Sequence, residues 1–235
     1  MVFAAEHIDW QTNAGRLLDR LAATLPSAPR LEINIFGSAP LQLFVERTFV
    51  SEDVDIFAAE DGWLPLERFV SEQGWGKGQT DFYIQVCDPL AFKSTFDWRA
   101  RAIEAERYGH LFRFVHPWDV LVSKLQRLEE KDLDAFRLVI AKTGHPTEQE
   151  LLRHLQKAVD LYRPKFDEET QRGDMMMNTR LLWRELWGRD IDPRAEIIRP
   201  AVERTNRAHS DFDPTLKDRL ATVASTVVLK PDTHP

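Results

Sequence analysis

In the first half of the chain, short apolar runs typical of strands lie between segments with apolar positions at helical spacing, whereas the second half shows helical spacing throughout. Four short apolar runs have the length and flanking turn residues of strands: residues 31–36, 53–57, 82–87 and 111–115. Leucines at helical spacing predict a helix capped by Thr12 or Asn13 that ends before Pro26. Two further helices are predicted over residues 40–47 and 65–73.

The second half of the chain has helical periodicity only. A long helix is predicted from Trp118 to about Glu130, since Pro117 suits a first helical turn. Thr147 and Glu150 form a capping-box pattern that starts a helix stopped before Pro164. The remaining helices are predicted to start after Asp174 and to cover residues 193–206 and 213–226, followed by a tail from Val227.

These elements predict an α/β (α+β) fold, with a small mixed sheet and flanking helices followed by an all-helical C-terminal part. We expect the two parts to be residues 1–116 and 117–235. One connection has no clear period: residues 93–109 are charged and irregular, with arginines at 99, 101 and 107. A solvated connection is the favoured interpretation, and a basic lip over a binding site is the alternative.

Composition excludes several classes of protein. Hydrophobic residues make up 43% of the chain, which is enough for a globular core. The net charge of −7 is unlike that of a general nucleic-acid coat protein. The charge is uneven, because residues 1–115 contain 11 Lys and Arg against 17 Asp and Glu, whereas the remainder contains 20 and 21. A single cysteine, Cys87, excludes an intramolecular disulfide and a cysteine zinc site.

The first residues lack the basic region of a signal peptide, and no apolar run approaches eighteen residues. We therefore expect a cytoplasmic protein that does not enter a membrane.

Two polar motifs follow the first strand and occupy the second. Gly37 and Ser38 end the first strand, where a turn offers backbone N–H groups to a phosphate. Asp53 and Asp55 lie two residues apart in the second strand, so their side chains point to the same face. Adjacent carboxylates repel each other unless a cation lies between them, and Mg²⁺ prefers such oxygen ligands. A surface hairpin with an acidic end is the alternative.

This arrangement resembles the signature of nucleotidyltransferases of the polymerase-β superfamily. The local sequence around Asp53 is especially similar to that of AbiEii-like and minimal nucleotidyltransferases. The resemblance covers about residues 31–140. It implies that Gly37 and Ser38 hold a nucleoside triphosphate and that Asp53 and Asp55 hold two Mg²⁺ ions. It also implies an acceptor hydroxyl on a tRNA 3′ end, a protein or a small molecule. Such proteins often belong to toxin–antitoxin or defence pairs, which implies a cognate partner protein.

The resemblance also implies a third carboxylate, a general base, on the strand over 82–87. The centre of that strand holds Gln85 instead. Asp88 at the strand end is the nearest candidate for a catalytic and metal-binding carboxylate, and Asp81 is the fallback. This departure leaves open a lapsed enzyme that still binds nucleotide or a partner.

A second motif lies on and after the helix that begins near Trp118. It resembles the Lys-Leu and Lys/Arg-Asp element that follows the catalytic domain in AbiEii-like proteins. By position, Lys124 contacts nucleotide phosphate and Asp132 orients it, with Arg127 and Lys131 as lesser candidates. An ordinary amphipathic helix with local ion pairs is the alternative. A protein whose helical half is an interaction surface is the rival outside the nucleotide-binding class.

Overall fold

The structure is a computed structural model that describes residues 3–58, 66–163 and 174–212. A five-stranded mixed sheet, in the order β3-β2-β1-β5-β4, lies at its centre. The strands are β1 (Glu32–Phe36), β2 (Asp53–Ala58), β3 (Tyr83–Val86), β4 (Ile103–Arg107) and β5 (His110–Phe114). The predicted class, a mixed sheet with flanking helices and a helical C-terminal part, is confirmed.

Strand pairing places the two predicted polar motifs at one end of the sheet. β1 pairs antiparallel with β2, so that Phe36 at the end of β1 lies opposite Asp55. β2 pairs parallel with β3, and β1 pairs parallel with β5. The turn after β1 therefore lies directly beside the carboxylates of β2.

Three helices precede or interrupt the strands: α1 (Asn13–Thr24), α2 (Ala39–Phe44) and α3 (Leu66–Glu72). Thr12 caps α1 as predicted, because its hydroxyl accepts a hydrogen bond from Gly15 N at 2.9 Å. The buried Gln42 of α2 accepts a hydrogen bond from Ala14 N at 2.8 Å. This contact fixes α2, and the turn before it, against α1.

The connection over residues 93–109 is not the solvated segment that its charge pattern predicts. Its end is β4, an edge strand in which Ile103 is buried and the glutamates at 104 and 106 are exposed. Arg107 pairs with Asp19 at 2.7 Å and lies over the Trp10 ring. This edge strand could not be recognised from the sequence, because β4 contains only two apolar residues and its other residues are charged.

Residues after β5 form the helical part: α4 (Pro117–Leu125), α5 (Glu130–Thr143), α6 (Glu148–Leu155), α7 (Met175–Trp187) and α8 (Arg199–Phe212). A π-helical turn, Arg194–Ile198, precedes α8. The capping box of Thr147 and Glu150 and the Asp174 cap form as predicted. α6 ends at Leu155, earlier than predicted, and a 3₁₀ turn follows at Val159–Tyr162. The helix predicted over 213–226 and the tail from Val227 lie outside the described residues.

The helix predicted to continue to about Glu130 is divided in two. α4 ends at Leu125, and Leu128 takes a left-handed backbone conformation with φ of 49°. α5 then begins behind Glu129, whose backbone N–H donates to Asp132 Oδ2 at 3.0 Å. The break turns the start of α5 back toward the end of α4, which brings Asp132 to Lys124.

A buried carboxylate joins the sheet layer to the helical part. Asp119 of α4 is fully buried and accepts hydrogen bonds from Arg101 at 2.9 and 3.0 Å and from Thr95 at 2.8 Å. His154 of α6 lies 3.2 Å from the same carboxylate. Burial opposes ionisation, but contacts from His154 and Arg101 outweigh it and hold the pKa of Asp119 below its usual range. Thus Arg101, expected in a solvated segment, anchors two layers.

Apolar residues form two buried clusters that meet at the sheet. One contains α1, the inner residues of β1, β2 and β5, and part of α2. The other contains α4 to α7 together with Phe36, Phe57 and Phe92 from the sheet layer. Within the described ranges, no helix is both long and apolar enough to cross a membrane.

Candidate nucleotide and metal site

A cleft of about 570 Å³ lies between one end of the sheet and the helical part. Its lining comes from the turn after β1, from β2 and the segment leading into it, from Gln85 of β3, and from residues 91–92. The last turn of α4 and the residues that follow it complete the lining. Six of the predicted site residues line it: Gly37, Ser38, Asp53, Asp55, Lys124 and Arg127. The fold thus brings together residues that are up to ninety positions apart in the sequence.

Gly37 is required where β1 meets the cleft. Its φ is +63°, and a Cβ there would lie 1.9 Å from Asp55 Oδ2. Any larger residue would therefore displace the carboxylate of Asp55 as well as strain the backbone. The glycine allows the turn to approach Asp55 closely, which also places Ser38 at the cleft.

Asp53 and Asp55 both line the cleft from β2, as the two-residue period of a strand predicts. Burial, and then the neighbouring Asp53 charge, raise the pKa of Asp55 to about 6. Such a carboxylate is held in an environment that lacks enough positive charge. A bound divalent cation would supply it.

Tyr83 and Gln85 of β3, with Cys87 directly after the strand, lie beside these carboxylates. Tyr83 lies in register with Asp53, and its hydroxyl donates to Asp53 Oδ2 at 3.4 Å. Gln85 lies in register with Asp55 and lines the cleft. The Cys87 thiol donates to Asp55 Oδ1 at 3.6 Å, and burial followed by the Asp55 charge raises the pKa of that thiol to about 12.

Asp88, the candidate for the third carboxylate, lies outside the residues that line the cleft. It is exposed, and its carboxylate accepts a hydrogen bond from Leu90 N at 2.7 Å, so that it caps a 3₁₀ turn at Pro89–Ala91. The fallback, Asp81, is exposed and does not line the cleft either. Gln85 is the β3 residue that faces the cleft beside Asp55.

Lys124 connects the two motifs. Its ammonium donates to Ser38 Oγ at 3.0 Å and pairs with Asp132 at 3.3 Å. The side chain is only 11% exposed, and burial lowers the pKa of the ammonium. Asp132 is fully buried and does not line the cleft, so it positions the Lys124 ammonium from the side of the protein interior.

Arg127 and Lys131 lie at the mouth of the cleft. Arg127 donates two hydrogen bonds of 3.0 Å to Asp132, and also pairs with Glu129. Lys131 is 67% exposed and pairs with Glu129 at 3.4 Å. Both cations are thus paired with nearby acidic residues, as the amphipathic-helix alternative predicts. Their side chains nevertheless line the cleft.

The donor set fits a hard divalent cation that shares its coordination with a ligand. Mg²⁺ is commonly held by one or two carboxylates with water and substrate phosphates completing its octahedron. Asp53 and Asp55 supply two carboxylates of that kind. Within the described part of the chain, no three His, Cys, Asp or Glu side chains are grouped so that they could hold a metal by themselves. Water and phosphate oxygens of a ligand would complete the coordination of a cation held by these two carboxylates.

Sequence reasoning missed Tyr83 and Cys87 as neighbours of the carboxylates. Both residues lie two positions from Gln85, so the two-residue period of a strand predicts that all three side chains point to the same face. It also missed Gln126 and Phe92, which line the cleft but carry no motif. The arginines at 99, 101 and 107 are not among the lining residues, so they form no basic lip over this cleft.

Comparisons of the chain with protein families, with curated proteins and with solved structures found no match. The assignment of a function therefore depends on the cleft and its residues.

Proposed function

We propose that the protein is a Mg²⁺-dependent nucleotidyltransferase that moves a nucleoside monophosphate from a nucleoside triphosphate to an acceptor hydroxyl. The observation that carries the proposal is that one cleft has two carboxylates on one wall and an ammonium on another. Asp53 and Asp55 lie on one wall, and Lys124 with Ser38 lies on another. This arrangement suits a triphosphate with its cation, and it agrees with the resemblance of both motifs to nucleotidyltransferases.

The roles of the residues follow from their contacts. Lys124, held between Ser38 and Asp132, presents a fixed positive charge for phosphate oxygens. The Ser38 hydroxyl adds a hydrogen-bond donor beside that charge. Asp53 and Asp55 hold the cation, which when bound supplies charge neutralisation and aligns the attacking and leaving oxygens. Asp132 is a positioning residue, because it contacts Lys124 and not the cleft.

The acceptor is an RNA 3′ end, a protein side chain or a small-molecule hydroxyl. The negative net charge of −7 makes a broad RNA-binding surface a poor fit, although the half from residue 116 onward is nearly neutral. A toxin–antitoxin or defence setting with a cognate partner protein is part of the proposal through the motif resemblance alone.

A second candidate is a nucleotide-binding module without turnover. The specific observation in its favour is that Gln85, an amide, occupies the β3 position beside Asp55, while Asp88 is an exposed cap. Without a carboxylate there, the attacking hydroxyl lacks a general base from this strand, and such a base typically contributes about a hundred- to ten-thousandfold in rate. Binding of Mg²⁺ and triphosphate would survive that loss.

The test incubates the protein with each of the four nucleoside triphosphates labelled at the α-phosphate, Mg²⁺, and total cellular RNA and protein. The proposed enzyme labels one acceptor class, and Asp53→Asn with Asp55→Asn abolishes the labelling. A matched control, Asp134→Asn with Asp160→Asn, changes two exposed aspartates and should label normally. Mg²⁺-dependent binding with no labelling would select the binding module, and labelling by the Asp53/Asp55 double variant would refute the site.

A further inference from the structure

We infer that Gln85 limits the cleft to a single divalent cation, which binds together with the nucleotide. The inference rests on the proposed function, because it specifies how many cations the nucleotide-binding site holds. It concerns the walls of the cleft on β2 and β3, where Asp55 and Gln85 lie side by side.

The register of the sheet sets the position of Gln85. β2 and β3 are parallel neighbours, and adjacent strands lie about 4.8 Å apart. Residues paired in register point to the same face, so the Gln85 side chain leaves the sheet beside that of Asp55. Both side chains line the cleft. Gln85 therefore occupies the place from which a third carboxylate on β3 would reach a second cation next to Asp55.

An amide is a weak substitute for a carboxylate in this position. It has one neutral oxygen, and its NH₂ group carries two donors that a cation repels. The pair Asp53 and Asp55 balances the two positive charges of one divalent ion. A second ion would add two more positive charges, and Gln85, the β3 residue beside Asp55, supplies no carboxylate to hold it.

The side chains two positions before and after Gln85 do not supply the missing anion. Tyr83 offers a phenol that donates to Asp53 Oδ2 at 3.4 Å, and Cys87 offers a thiol that donates to Asp55 Oδ1 at 3.6 Å. Neither group is a carboxylate. Glu52 is exposed at the rim of the cleft, yet the described residues contain no three-carboxylate group that includes it.

The experiment counts Mn²⁺ ions in the complex of the full chain with a nucleotide. The probe is the α,β-methylene analogue of each of the four nucleoside triphosphates, which cannot be cleaved at the reacting bond. Protein is kept in excess over the nucleotide that binds, and bound Mn²⁺ is measured from the loss of the free-ion signal in electron paramagnetic resonance. We expect one Mn²⁺ per complex for the unmodified protein and two for Gln85→Glu, which is isosteric.

Two control variants distinguish the effect of the position of the new carboxylate from the effect of its charge. Gln126→Glu introduces the same charge elsewhere in the cleft lining, where the Gln126 amide donates to Lys93 O at 3.0 Å, and should stay at one ion. Gln85→Ala removes the amide without adding a ligand and should also stay at one. If Gln85→Glu does not fold, judged by circular dichroism, Gln85→Asp replaces it with the same expectation.

The outcomes distinguish this inference from the proposed function. Two ions in the unmodified complex, or one in a folded Gln85→Glu complex, would overturn the role of Gln85 while nucleotide binding stands. Two ions in Gln126→Glu would show that charge alone, not the position beside Asp55, sets the number. Absence of any Mn²⁺-dependent nucleotide binding by the unmodified protein would instead remove the proposed function itself.

Discussion

Lys124 donates a hydrogen bond of 3.0 Å to Ser38, although the two residues are 86 positions apart in the sequence. The contact joins the turn after β1 to the end of α4, across the cleft that also holds Asp53 and Asp55. On its other side, Lys124 pairs with the fully buried Asp132 at 3.3 Å. A lysine whose ammonium already has two fixed partners has little rotamer freedom left to lose when a phosphate binds.

Replacing Lys124 by methionine should weaken nucleoside triphosphate binding by about 10- to 100-fold, because a hydrogen bond to a charged group contributes about 1.5–3 kcal/mol. Methionine keeps most of the apolar stem, and Asp132 keeps its contacts with Arg127. Isothermal titration in the presence of Mg²⁺ measures the change. Lys131→Met is the matched control, since Lys131 borders the same cleft but is 67% exposed, and it should change affinity less than threefold. Equal losses for both lysines would contradict the role given to Lys124.

Asp55→Asn should raise the stability of the metal-free protein at neutral pH. The pKa of Asp55 is about 6 in the folded state, above its ordinary value near 3.8, so folding favours the protonated form. The stabilising contribution of that form is complete below the unfolded pKa and is lost as pH rises from about 4 through 6. A shift of this size corresponds to about 3 kcal/mol, and solvent at the cleft reduces it to about 2 kcal/mol.

Urea denaturation at pH 4 and pH 7.5, without divalent cations, measures this difference. The gain from Asp55→Asn should appear at pH 7.5 and nearly vanish at pH 4. Asp134→Asn, at an exposed aspartate of α5, serves as the control and should change little at either pH. A gain of the same size at both pH values would show that repulsion and burial of the Asp55 charge are not its cause.

Asp88→Ala should leave both triphosphate binding and any transfer within twofold of the unmodified protein. Asp88 is exposed, and its only described side-chain contact is the cap to Leu90 N at 2.7 Å. Loss of such a cap costs about 1 kcal/mol of stability. Initial rates of acceptor labelling check the prediction. A fall of a hundredfold or more, with binding retained, would instead identify Asp88 as a general base that reaches the cleft in the complex.

Asp119→Ala should destabilise the protein by about 3–5 kcal/mol, because it leaves the half-buried Arg101 without its main partner. The low pKa of Asp119 implies that its contribution is present above the unfolded pKa, about 4, and is lost as pH falls below that value. Thermal unfolding at neutral pH gives the cost. As a matched control, Glu185→Ala removes a partner of the exposed Arg137 and should cost less than about 1 kcal/mol. Similar costs for both variants would contradict the anchoring role of Asp119.

Much of the fold was predictable because its elements carry strong local patterns. The apolar runs of β1, β2 and β5, the Thr12 cap and the capping box of Thr147 are short-range features that can be read from the sequence alone. β4 and the break between α4 and α5 were not predictable in this way. β4 is an edge strand with few apolar residues, and the left-handed backbone at Leu128 comes from tertiary packing and not from a glycine.

By itself, the sequence determined that Asp53 and Asp55 share a face and that a turn of Gly37 and Ser38 precedes them, because strand period and glycine chemistry are local. Only the tertiary structure decided what lies opposite these residues. Strand register placed Gln85 beside Asp55, and the packing of α4 on the turn after β1 placed Lys124 against Ser38. The chain leaves the sheet after β3, so that Asp88 lies on the surface. Register and helix packing depend on contacts between distant segments, and a single sequence does not encode such contacts in any periodic pattern.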